Sequence, residues 1–278
     1  MEQKQNEKSL ESLAAALAYA MGIEPPEYAA APNEDLTDYI DRSLAGKKAD
    51  RVFIYNTDAI AQWMFEKYPQ FTEGARKCTE LELPMRSPYP PVTPICFGTM
   101  YTGAAPEIHG IVQYEKKRID IDTLFDALVR AGKKVALLTR PYYSMAVCFS
   151  ERPIDYYFCP TWPEVNAKAA ELILRDEYDF ILCYNANYDD FMHKKGPESI
   201  ECLAEMRFNY QTYCMFDSLI RTHWKHHNVL VGTGMDHGCH ATELRIAQSD
   251  GLPRYGNHCD DTPQDRNIIH LYKAYPAE

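Results

Sequence analysis

No stretch of the chain approaches the ~20 consecutive apolar residues needed to span a bilayer, although 46% of its 278 residues are hydrophobic. A membrane-embedded protein is therefore not expected. Basic charge is scarce: 29 Lys and Arg stand against 40 Asp and Glu, for a net charge of -11. A nucleic-acid backbone calls for a basic surface and is excluded as the main partner, whereas a small phosphate ester held through a metal is not. The nine cysteines are odd in number and form no C-x-x-C pair. They read as reduced thiols of a cytoplasmic chain, not as a disulfide framework. The first residues lack the acid-free basic start of an export signal, with Glu2, Glu7 and Glu11 where one would be basic. Leu10, Leu13 and Leu17 recur there at helical spacing, which predicts an amphipathic helix. Internal repeats and low-complexity segments are also missing.

Present instead is a regular alternation. Short runs rich in β-branched and aromatic residues alternate with longer segments of helical period, the pattern of an α/β fold with a doubly wound, mostly parallel central sheet and helices on both faces. Strands are predicted at "RVFIYN" (51–56), "KVALLT" (134–139), "YDFILCYN" (178–185) and "NVLVGT" (228–233). Helices are predicted at "IDIDTLFDALVRAGKK", "PEVNAKAAELILRDE" and the long stretch from "PESIECL" to "KHH". Residues 1–48 differ, being two helical pieces broken by "EPPEYAAAPNED". They are expected to form an N-terminal helical extension on a catalytic domain of residues 49–278.

Three of the four strands run into an acid: Asp58 in "FIYNTD", Asp189 and Asp190 in "FILCYNANYDD", and Asp236 in "VLVGTGMDHG". Ligands bind at the carboxyl ends of parallel strands, so these acids can converge. Gathering carboxylates in a cleft is costly unless a cation neutralises them. Each Asp can equally serve as a helix N-cap. The histidines weigh against that, because eight of nine fall at or after position 193 and two accompany the same acids, His193 four residues after Asp189 and His237 beside Asp236. His258 lies on a later loop, "YGNHCDD". Imidazole with carboxylate suits zinc, manganese or iron, not calcium. His223, His226 and His227 end a helix, where cationic side chains suit the dipole, and His240 and His270 stay unassigned.

The segment "PPVTPICFGTMYTGAAPEIHGI" (90–111) places Thr93 before Pro94, a natural N-cap and N1 pair for the helix "PICFGTMYTG". A threonine hydroxyl is a poor nucleophile until a metal lowers its pKa.

Together these pieces resemble the alkaline phosphatase superfamily, and within it the nucleotide pyrophosphatase/phosphodiesterase and phosphonoacetate hydrolase branch. They are Asp58 after the first strand, Thr93 nine residues before a "TG" followed by "P-x-x-HGI", "D-x-x-x-H-K-x-GP" (Asp189 to Pro197), "DHG" (Asp236 to Gly238) and the loop His258, all in the family's order. The resemblance implies two zinc ions, with manganese as the alternative. One would be held by Asp189, His193 and His258, the other by Asp58, Asp236 and His237 together with Thr93. It further implies hydrolysis of a small phosphate ester by attack of Thr93 on phosphorus to leave a phosphothreonine. His109 is not a ligand in such relatives and is expected to be buried and structural. The sequence departs at "HGI-x-x-N", where Tyr114 replaces an asparagine that contacts phosphate. Tyr114 is a candidate substrate contact, with Gln113, Lys116 and Lys117 as other sources of a donor or a charge, and the choice between monoester and diester is left open. Alternatives are a phosphate-transferring mutase of the same superfamily, for which residues 49–278 leave little room, and an inactive ligand-binding homologue. A cysteine hydrolase using Cys96, Cys239 or Cys259 is disfavoured, since free cysteines are mostly small buried hydrophobes. A homo-oligomer is compatible with the chain.

Overall fold

A computed structural model describes residues 4–246 and 251–278. Its strands are β1 (Arg51–Thr57), β2 (Leu81–Arg86), β3 (Val135–Thr139), β4 (Asp155–Phe158), β5 (Phe180–Asn185), β6 (Val229–Met235), β7 (His240–Ile246), β8 (Pro253–Asn257) and β9 (Asn267–Tyr275). Seven of them form one sheet in the order β2-β9-β6-β1-β5-β3-β4, while β7 and β8 pair separately. The five from β6 to β4 are parallel, and β9 and β2 continue the sheet antiparallel. Residues of β5 and β6 are buried throughout, and in β1 all but Arg51 are. A parallel sheet covered on both faces requires such uninterrupted apolar runs, which is why these strands are plain in the sequence.

The four predicted strands are β1, β3, β5 and β6. The others are quieter. β2, "LELPMR", carries Pro84 and the exposed Glu82, tolerable because it is an edge strand. β4 is a four-residue opposite edge with no fully buried residue. The helices are also shorter than predicted: "IDIDTLFDALVRAGKK" becomes helical only at Leu124–Arg130, where Thr123 and Asp126 form a capping box. The long stretch is one helix, Ile200–His223, and a further helix, Asn187–Lys195, precedes it where none was predicted.

Within the first 48 residues a 3-10 turn, Leu10–Ser12, leads into the helix Leu13–Ala20, followed by the helix Glu34–Ser43. The expected amphipathic stripe is absent, because Leu13–Ala20 is buried around nearly its whole circumference. Its alanines let the helices Glu34–Ser43, Thr93–Thr102 and Leu124–Arg130 all approach. Ala30 donates its N–H to Gly103 O at 2.8 Å. Gly103 caps the Thr93–Thr102 helix at φ 71°, and a Cβ there would lie 2.7 Å from Ala29 Cβ. The first 48 residues thus brace the far end of the helix that Thr93 begins.

Register brings the strand ends level. Thr57 pairs with Asn185 on one side and Met235 on the other, so β1, β5 and β6 release the chain at one height. Asp58 and Asp236 follow at once, and Asp189 lies one helical turn later.

His109 packs where a side chain on Gly98 would collide, since a Cβ there would sit 2.7 Å from its Cε1. Its Nδ1 accepts Ile111 N–H at 3.3 Å, which leaves Nε2–H to donate to Thr99 Oγ1 at 3.1 Å. Burial pushes this imidazole down to about 4. A depressed histidine is neutral in the fold and takes up its proton on unfolding, so its contribution is intact above the unfolded value of ~6.5 and lost as pH falls towards about 4. Urea melts of the wild type and a His109→Gln chain should therefore diverge. Between about pH 7 and pH 4 the difference in unfolding free energy should move by up to ~3 kcal/mol in favour of the variant. A pH-independent difference would show that His109 titrates in the fold as it does in the unfolded chain.

Candidate active site

The local folding at each acid separates a ligand from a cap. After Asp58 the next helix begins only at Gln62, with Ala61 as its N-cap, and after Asp236 the chain runs on to β7. Neither aspartate caps a helix, which removes that alternative. Asp189 stands in the first turn of Asn187–Lys195, whose N-cap is Ala186. Asp189 and His193, four residues apart, share one helix face with Oδ1 and Nε2 3.4 Å apart.

The six predicted ligands assemble into two groups. Asp189, His193 and His258 form one and Asp58, Asp236 and His237 the other, with the ligand atoms inside each group within 4.8 Å of one another. In the second, His237 Nε2 lies 3.4 Å from Asp58 Oδ1 and 3.3 Å from Asp236 Oδ2. The groups adjoin, because the rings of His237 and His258 stack with centroids 4.0 Å apart.

Hydrogen bonds from outside the groups orient every imidazole. His193 Nδ1 lies 3.1 Å from Gly256 O, His237 Nδ1 2.9 Å from Gly238 O, and His258 Nδ1 2.8 Å from Pro91 O. A carbonyl only accepts, so each Nδ1 carries the proton and each Nε2 presents a lone pair inward. The Nε2 atoms of His193 and His258 are only 3.2 Å apart, two lone pairs facing each other. The carboxylates are arranged likewise. Tyr184 OH donates to Asp58 Oδ2, and Ala59 N–H to Asp236 Oδ1 at 3.2 Å. The remaining oxygens, Asp58 Oδ1, Asp236 Oδ2 and Asp189 Oδ1, are buried without a hydrogen-bond partner. Burial, followed by the charges of Asp236 and Asp189, pushes the Asp58 carboxyl well up. Burial also raises Asp236, and burial with the neighbouring imidazoles drives His258 well down. Orphaned oxygens and convergent lone pairs are what two divalent cations would satisfy, and the mixed N/O donor set fits zinc or manganese.

A third group, His240, Asp260 and Asp265, is satisfied from within. Asp265 Oδ1 accepts from His240 Nδ1 at 2.7 Å and its Oδ2 from Asp260 N–H at 2.9 Å.

Thr93 differs from expectation in one respect. Val92 is the N-cap of the Thr93–Thr102 helix and Thr93 is its first helical residue, ahead of Pro94, with no side-chain cap bond. Its hydroxyl is turned towards the carboxylate and imidazole groups, Oγ1 being 3.2 Å from His237 Nε2. Thr93 forms part of a cavity of about 390 Å³ whose wall also includes Asp58, Asp189, His193 and His258. Tyr114 lines it too, as do Lys116, Tyr143, Asp190 and Arg254. Sequence reading missed Tyr184, Tyr143 and the carbonyls of Pro91, Gly238 and Gly256. Backbone carbonyls carry no residue signature, and an aromatic in a strand reads as core. The cysteines are poor nucleophiles: burial pushes the Cys96 and Cys239 thiols well up and Cys259 to about 11.

The sequence profile of type I phosphodiesterases and nucleotide pyrophosphatases matches residues 55–225. The chain belongs to this family. Asp58, Thr93, Asp189 and His193 fall within the matched segment of this phosphodiesterase, while Asp236, His237 and His258 lie beyond it and are brought in by the fold. Its members are hydrolases of phosphodiester and pyrophosphate bonds. Solved structures agree on the fold. Human ectonucleotide pyrophosphatase/phosphodiesterase 5 superposes with a TM-score of 0.63 at 12% identity, over 81% of this chain and 88% of that one. The murine protein, in an inactive form in complex with AMP, superposes with a TM-score of 0.63 at 13% identity, over 82% and 88%. A search of curated protein sequences returned no significant match. Among the described residues no helix is long and apolar enough to cross a membrane.

Proposed function

We propose that this phosphodiesterase cleaves phosphodiester or pyrophosphate bonds in small nucleotide-like substrates, with Thr93 as nucleophile and two divalent metal ions, zinc by donor chemistry, at the two groups. The observation that carries the reading is the ring of lone pairs around Thr93: three buried carboxylate oxygens without partners and three Nε2 atoms fixed inward. When bound, such ions neutralise the carboxylates, lower the pKa of a nearby hydroxyl and stabilise negative charge on a leaving oxygen.

The chain's own residues position the reaction. Asp189, His193 and His258 would hold one ion, and Asp58, Asp236 and His237 the other. Tyr184 and the carbonyls of Pro91, Gly238 and Gly256 keep those donors aimed, so little reorganisation is needed when substrate arrives. The Thr93 hydroxyl loses its proton, and its Oγ–P bond forms as the bond from phosphorus to the departing oxygen breaks. Water then attacks phosphorus, the Oγ–P bond breaks and the hydroxyl is restored. Tyr114, on the cavity wall, is the proposed donor to a non-bridging phosphate oxygen in place of asparagine. That a threonine-to-alanine variant of the murine protein is inactive and binds AMP supports both the nucleophile and the ligand class.

The covalent step makes a direct test. Acid quenching of the zinc-loaded protein early in turnover of a nitrophenyl phosphate ester should trap phosphate on Thr93, located by mass spectrometry of its peptide. Rapid turnover with phosphate on another residue, or on none, would overturn Thr93 as nucleophile.

A further inference from the structure

We infer that Lys116 forms a subsite for a second anionic group, phosphate or carboxylate, on the substrate; the inference rests on the hydrolase reading above. Tyr114 and Lys116 line the cavity, whereas the residues between and beyond them do not. Glu115 and Lys117 instead pair with each other at 3.5 Å, at half-exposed positions. The alternation divides two adjacent lysines: one neutralised at the surface, the other at the site.

Lys116 is also held in place. Its Nζ donates to Tyr142 O at 3.3 Å and lies 5.6 Å from the centre of the Tyr143 ring. Tyr142 adopts a left-handed backbone at φ 68°, uncommon for a residue with a side chain, in the turn that presents this carbonyl. Tyr143 is fixed in turn, its hydroxyl donating to Asp190 Oδ2 at 2.7 Å. One of three ammonium donors is thus used, and two remain. Among the described residues no carboxylate lies within ion-pair distance of Lys116 Nζ. A phosphoryl group engaged at Thr93 would have the two candidate metal groups for its charge, which leaves Lys116 for a different anion. In a chain of net charge -11, a lysine on this cavity wall favours substrates with a second charge over those with a neutral arm.

Calorimetric titration of zinc-loaded protein with ethyl phosphate, phosphoglycolate and ethanediol bisphosphate tests this without requiring turnover. The three share one phosphate and differ in an arm that is neutral, carboxylate or phosphate. An anion meeting a fixed ammonium gains about tenfold or more in affinity. At least one charged ligand should bind that much more tightly than ethyl phosphate, and the better arm identifies the anion. The ratio should fall to about one in Lys116→Met, return in Lys116→Arg and persist in Lys117→Met, which loses the same charge from the surface. A ratio near one in the wild type, or an equal ratio in Lys116→Met, would overturn the subsite. Absence of nitrophenyl ester hydrolysis by the same preparation would instead overturn the hydrolase reading, which separates the two failures.

Discussion

Replacing Thr93 by alanine is expected to lower turnover of a nitrophenyl phosphate diester by at least ~10³-fold while leaving the fold intact. The size follows from what the change removes: in the proposed mechanism the hydroxyl is the atom that bonds to phosphorus. Stability should change by only ~1 kcal/mol, because the hydroxyl makes no cap bond and its contact is to His237 Nε2 at 3.2 Å. Bound metal should stay unchanged in Thr93→Ala, since the six candidate ligands remain, and Thr93→Ser should recover part of the rate. Full activity in Thr93→Ala together with loss in Cys96→Ala would move the nucleophile to the thiol. The fold argues against that outcome, because Cys96 lies buried on the same helix with its thiol pushed well up by burial.

Stripping metal with a chelator should abolish activity and lower the melting temperature by ~10 °C or more, both restored by zinc or manganese. The reason is electrostatic. Asp58 Oδ1, Asp189 Oδ1 and Asp236 Oδ2 are buried without partners, and the Nε2 atoms of His193 and His258 confront each other at 3.2 Å. Such an arrangement is costly in the absence of cations and strongly favourable around them, so binding free energy becomes folding free energy. Without cations burial pushes the Asp58 and Asp236 carboxyls up, so protons compete with metal there more strongly than at an ordinary carboxylate. Metal uptake should therefore release protons and weaken as pH falls. A stripped protein with the same melting temperature and full activity would remove metal from the mechanism.

The strands that support the site were legible because burial on both faces leaves an unbroken apolar run, as in "FILCYN" of β5. β9 was not, although it is buried for most of its length. A strand bonded antiparallel between β2 and β6, entered from the one-turn helix Pro263–Arg266, lacks the long helical segment that makes the alternating pattern visible. The candidate ligand residues were legible because Asp and His at strand ends are chemically conspicuous. Their grouping was less so: Asp189 is separated from His258 by 69 positions, and only closure of the sheet and packing of β8 on the Asn187–Lys195 helix bring them together.

Residue types and chain order by themselves determined the α/β class, the family, and the seven side chains worth testing, because each of these rests on local pattern and on chemistry that single residues carry. Which nitrogen of each imidazole faces inward, which carboxylate oxygens lack partners, that Thr93 opens its helix without capping it, and that Lys116 but not Lys117 borders the cavity were decided only by tertiary structure. Each depends on a contact made across the fold, and a chain written in one dimension does not contain distances.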